Sequence, residues 1–201
     1  MKAKIDSKLL PLLVLALVVL ISTALLAITN EITMPAREAQ AQQRILASKQ
    51  KIFPEAVDFK AMTIADDYAD KILSLEEAFG ADNQSIGYLI YTESSGYGGQ
   101  VGSYFGLSHK GEIVGIDMPS NSETPGLGQR VREEAFYSQA LGYTADYRFA
   151  LGSNKPKLEE GQQAANIDAV SSATVSSTAF TNNLNTCLDF YQAELQDAGK
   201  E

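Results

Sequence analysis

Between Ile167 and Thr178 the chain reads Ile-Asp-Ala-Val-Ser-Ser-Ala-Thr-Val-Ser-Ser-Thr, a run dense in hydroxyl side chains. Such a run reads as an attachment point because of the pattern downstream of it. Leu184, Leu188, Tyr191 and Leu195 recur at intervals of four, three and four residues, which is one stripe of an amphipathic helix. The hydroxyls therefore fall at or near a helix N-terminus, where unpaired backbone N–H groups and the positive end of the helix dipole favour an anion, phosphate above all. The competing reading is a generously supplied N-cap, since Ser and Thr are preferred there and contribute about 1 kcal/mol each.

A second chemistry-bearing stretch is Glu123-Thr124-Pro125-Gly126-Leu127-Gly128. Pro125 presets φ and Gly126 accepts φ > 0, the pair expected at the centre of a type II turn. The loop connects a strand to a helix, and its glycines leave room for a flat ring to approach the backbone. A third, shorter stretch, Tyr97-Gly98-Gly99, stands before a predicted hairpin.

Asp168-Ala-Val-Ser171-Ser172-Ala173-Thr174-Val-Ser176 resembles the flavinylation motif Asp-x-x-Ser/Thr-Gly-Ala-Thr of FMN-binding domains. Glu123 to Gly128 resembles the Glu-Thr-Pro-Gly-Leu-Gly signature of the same family. Those domains occur in the G subunit of the Rnf complex and in the C subunit of the sodium-translocating NADH:quinone reductase. The resemblance implies FMN joined through its phosphate, as a phosphoester, to Thr174, with Ser171, Ser172 and Ala173 around it. It also implies that Glu123, Thr124, Gly126 and Leu127 lie against the FMN, with Thr124 donating a hydrogen bond. Ser172 stands where the family usually has Gly, which removes the backbone freedom of that residue. Ser176 and Ser177 share the segment with Thr174, so both stay open as modified residues.

The same resemblance implies a carrier that is not a complete enzyme. Electrons would move between reduced ferredoxin and NAD, coupled to ion movement, through other membrane and redox subunits. A flavin transferase would load the cofactor. The alternatives are the C subunit of the quinone reductase, whose chains are generally longer, and a flavin-free extracytoplasmic binding or regulatory module of the same fold.

The elements that must position these residues are legible around them. The length allows one membrane segment and one domain of about 150 residues. A formal charge of -9 and a pI near 4.7 leave no basic footprint, which argues against nucleic acid. The single cysteine, Cys187, and single histidine, His109, cannot supply a zinc site or a cysteine-ligated iron–sulfur cluster from this chain alone. Cys187 reads as a buried small hydrophobe and His109 as a hairpin-turn residue.

Leu9 to Ile28 is uncharged and long enough to span a bilayer. Lys2, Lys4 and Lys8 precede it and Glu31 comes after it, so the positive-inside rule places the N-terminus in the cytoplasm and the domain outside. Residues 1–30 form the anchor, and residues 31–53 form a helical stalk closed by Phe53-Pro54. Residues 54–201 form the FMN-binding domain. Within it Tyr68, Ile72, Leu75 and Phe79 fit a helical stripe, but the resemblance implies a strand over Asp70–Phe79. Beyond that the sequence predicts an antiparallel meander over Gly87–Thr92, Gln100–Leu107 and Ile113–Met118, and a turn at Gly111. Beyond the meander it predicts a short helix over Val131–Leu141, a strand over Tyr143–Leu151 and a polar loop over Lys155–Gln163. The fold class is α+β.

Overall fold

The computed structural model describes residues 9–119 and 121–196. Lys2, Lys4 and Lys8, which carry the orientation argument, lie outside them. The chain divides into two compact units, Met1–Arg44 and Ile45–Glu201.

Within the first unit every described residue from Leu10 onward is helical, the start of α1 (Leu10–Ile52). Its apolar side chains are exposed on all faces: Leu20 is 69 % and Leu26 72 % exposed, so no described residue of this chain covers them. A helix apolar all round and uncovered is stable only in lipid. Its threonine hydroxyls are satisfied internally, as lipid requires. Thr23, Thr29 and Thr33 each donate to the carbonyl four residues earlier at 2.8 Å. The helix is a membrane anchor.

The second unit is built on a five-stranded antiparallel sheet in sequential order: β1 (Asp58–Ala61), β2 (Ile72–Phe79), β3 (Ser85–Ser95), β4 (Gln100–Leu107) and β5 (Ile113–Asp117). β4 pairs with β3 from Tyr88↔Leu107 to Ser95↔Gln100, which puts the Tyr97-Gly98-Gly99 stretch at the tip of that hairpin. Gly111, at φ 75°, turns β4 into β5.

α3 (Thr174–Phe190) covers one face of the sheet, and its stripe of Leu184, Leu188, Tyr191 and Leu195 is buried, the last two in a π-helical turn that extends it. Phe180, fully buried, meets Phe105 of β4 and Phe136 with ring centroids 5.9 and 5.1 Å apart. The opposite face takes Ile52 and Phe53. A Cβ on Gly106 would collide with Ile52, and one on Gly115, its partner across β4 and β5, would press tightly on it. The last turns of α1 belong to this compact unit, burying Ser48 and Ile52 within it.

Two expectations are corrected. Val131–Leu141 is not one helix but a 3-10 turn (Gly128–Arg132), α2 (Glu134–Tyr137) and a second 3-10 turn (Ser138–Ala140). Glu133 is extended between the first two, and burial of Val131, Phe136, Tyr137 and Ala140 outweighs helix propensity. The strand predicted over Tyr143–Leu151 is confined to β6 (Tyr147–Leu151). It pairs in parallel with β7 (Gln163–Ile167), a strand poor in β-branched residues that periodicity misses. The amide of Asn185 on α3 then bonds Phe149 twice, accepting from its N–H and donating to its C=O, both at 2.9 Å, as a neighbouring strand would.

Candidate functional site

The hydroxyl run lies between β7 and α3. Gln139 fixes its start, accepting from the Asp168 N–H at 2.8 Å. The chain then turns tightly, with the Ala173 N–H donating to Val170 C=O at 3.0 Å. Ala173 is the N-cap of α3 and makes no side-chain cap. The generously supplied cap is therefore absent: no hydroxyl of the run occupies the first-turn N–H groups, which stay available to an anion.

The hydroxyls also differ in access. Thr174, the first helical residue, is exposed, and its hydroxyl bonds no described residue. Ser176 is buried and donates to Glu123 Oε2 at 2.7 Å. Ser177 is fully buried and accepts from the Val170 N–H at 3.1 Å.

Beside Thr174 opens a cleft of about 480 Å³, a volume usual for a cofactor site. One wall is the start of α3, from Ser172 to Ser176; the other is Glu123, Thr124, Leu127 and Gly128, with Tyr97 from the β3–β4 tip. Tyr97 is 79 %, Val175 50 % and Leu127 44 % exposed, so the cleft offers apolar and aromatic surface without a protein cover. Uncapped N–H groups for a phosphate and uncovered apolar side chains for a ring suit an FMN.

Ser172, Ala173, Thr174, Glu123, Thr124 and Leu127 are thus brought together on the walls of one cleft. Ser171 and Gly126 are not on the walls. Gly126, at φ 76° with open space around it, shapes the loop, whose Leu127 N–H returns to Thr124 C=O at 3.2 Å. Sequence reasoning missed Val175 and Gly128 as wall residues and Gln139 as a support; the first two lay within or beside the motifs, but nothing in the sequence ties Gln139 to Asp168.

A family profile of the FMN-binding domain matches residues 96–189, from the β3–β4 tip to the end of α3. The G subunit of the Na(+)-translocating ferredoxin:NAD(+) oxidoreductase complex of Acetobacterium woodii is 31% identical over 192 residues, covering 90% of this chain and 89% of that one. This chain belongs to that G-subunit family. A second member, the G subunit of the ion-translocating oxidoreductase complex of Methanosarcina acetivorans, is 28% identical over 94% of this chain and 98% of its own. The fold of the family is shared more widely. The crystal structure of the C subunit of Na(+)-translocating NADH-quinone reductase from Parabacteroides distasonis superposes with a TM-score of 0.53 at 18% identity, covering 80% of this chain and 94% of that one.

The backbone also explains the Gly of the flavinylation motif. Ser172 has φ 63°, a left-handed conformation that costs an L-residue about 1–2 kcal/mol and glycine almost nothing. Ser172→Gly is expected to stabilise the folded chain by roughly 1 kcal/mol, less the entropy glycine adds to the unfolded state. Urea unfolding of the full chain in detergent checks this; a lower midpoint for the glycine variant would contradict it.

The two residues set aside in the sequence are occupied structurally. Cys187 is fully buried, and burial first, then the nearby Asp189, push its thiol well above its ordinary pKa. His109 lies in the β4–β5 turn, its ring edge-on to Tyr88 at 5.1 Å.

Proposed function

We propose that this chain carries FMN covalently on Thr174 and relays electrons between neighbouring subunits of an ion-translocating ferredoxin:NAD oxidoreductase complex of the Rnf type. The observation that carries the attachment reading is the contrast in access: Thr174 presents an exposed hydroxyl at an uncapped helix start, whereas those of Ser176 and Ser177 are buried and bonded. When bound, the flavin supplies reversible transfer of one or two electrons.

The protein supplies the rest. Thr174 Oγ1 would form the bond to phosphorus as the phosphoanhydride bond of an activated FMN donor breaks, the hydroxyl proton leaving with the displaced phosphate group. The exposed position admits a flavin transferase. First-turn N–H groups of α3 would hold the phosphate, and Tyr97, Leu127 and Val175 would give the ring an apolar bed. Thr124, at the edge of the cleft, is the residue we assign as a hydrogen-bond donor to the flavin. Other redox and membrane subunits approach the uncovered side of the cleft. A visible absorption spectrum of purified protein coexpressed with a flavin transferase tests the reading: flavin bands that survive denaturation support it, and a colourless protein returns the chain to a flavin-free binding module.

Lys2, Lys4 and Lys8 ahead of the anchor support an N-terminus in the cytoplasm and a flavin domain on the other side of the bilayer. Protease added outside intact spheroplasts is expected to digest the domain and spare the N-terminus. Full protection of the domain would reverse the orientation.

A further inference from the structure

Glu123 belongs to a motif whose resemblance makes it a flavin contact, yet its carboxylate is turned inward. It is 3 % exposed. A carboxylate buried to that degree needs donors for both oxygens, and it has them from within the protein. Oε1 accepts from the Gly98 N–H at 3.0 Å, and Oε2 accepts from the Ser176 hydroxyl at 2.7 Å. One side chain thus joins the tip of the β3–β4 hairpin, the loop after β5 and the first turn of α3, three segments far apart in sequence.

The surrounding glycines are cut to this carboxylate. A Cβ on Gly96 would collide with Oε1 and come within 2.7 Å of Val101 Cγ2. A Cβ on Gly128 would collide with Oε2 and come within 2.6 Å of Ser176 Oγ. The last glycine of the Pro-Gly-Leu-Gly loop therefore makes room for Glu123, not only for a ligand.

We infer that Glu123 is a positioning residue: it latches the two walls of the cleft together, holding Tyr97 and Thr174 at a fixed separation before any flavin arrives. The latch deepens the reading of Thr174 as the FMN acceptor and rests on it for its effect on loading. A transferase must present its donor to one hydroxyl, so a wall displaced by about 1 Å slows attachment steeply.

The test uses the full chain in detergent with two readouts: amide hydrogen exchange at Gly98 in the flavin-free protein, and the initial rate of flavin incorporation by a transferase. Glu123→Ala is expected to lose protection at Gly98 and to be labelled at least about tenfold more slowly. Glu123→Gln is expected to restore both, because its carbonyl accepts from Gly98 while its NH₂ donates to Ser176, whose hydroxyl accepts equally well. A folded Glu123→Ala protein with wild-type exchange and wild-type labelling would overturn the latch. Should Glu123→Ala fail to fold, Ser176→Ala, which removes one arm only, decides by slowed or unchanged labelling. Wild-type protein that takes no flavin at Thr174 would sink the attachment reading instead, and Gly98 exchange would still judge the latch.

Discussion

Thr174→Val, coexpressed with a flavin transferase, is expected to give a folded protein with no flavin fluorescence in a denaturing gel. Valine keeps the β-branched shape at the first helical position but removes the oxygen that a phosphoester requires. Shape matters little to folding here, because Thr174 is exposed and its hydroxyl bonds no described residue. The effect should therefore be complete loss of attachment with little loss of stability. Ser176→Ala and Ser177→Ala should keep the fluorescence, since both hydroxyls are buried and bonded to Glu123 and Val170. Slower loading of Ser176→Ala is compatible with that; absence of its fluorescence is not. Fluorescence retained in Thr174→Val would move the acceptor to another hydroxyl.

The largest effect on stability is expected at Phe180. Its ring is fully buried where α3 crosses the sheet, edge-on to Phe136 and tilted against Phe105. Truncation to alanine removes the buried apolar surface and leaves a cavity that the sheet and helix can only partly close, a loss of about 3–5 kcal/mol. Against a total of about 5–15 kcal/mol for a domain, that is a large fraction. Urea unfolding of the full chain in detergent should show it as a marked drop in midpoint, and a loss under about 1 kcal/mol would mean that α3 is not anchored there. Because the same helix presents Thr174 at its start, loosened packing should also slow flavin loading in Phe180→Ala.

What the sequence made legible was whatever repeats or punctuates. The Leu184–Leu195 stripe, the meander over β3, β4 and β5, and the turns at Gly111 and Gly126 are local signals, and each appears where periodicity or φ > 0 puts it. What stayed hidden depends on partners distant in sequence. β7 becomes a strand only because β6 lies beside it, and the Val131–Leu141 helix breaks because Val131, Phe136 and Ala140 must all reach the core.

At the site the motifs named the neighbourhood but not the roles. Ser172 reads as a departure from a glycine, and only its φ of 63° shows what the glycine is for. Glu123 reads as a cofactor contact, whereas both its oxygens are engaged by Gly98 and Ser176. Ser176 and Ser177 carry hydroxyls as Thr174 does; the motif points to Thr174, and burial sets the two serines apart from it.

The central claim is a bond between one oxygen and one phosphorus, so the most direct test is tandem mass spectrometry of the flavin-bearing peptide from protein loaded by the transferase. A peptide heavier by one FMN less one water is expected, with the added mass assigned to Thr174 by the fragments on either side. The same mass on Ser171, Ser172, Ser176 or Ser177, or a flavin lost intact on denaturation, would contradict it.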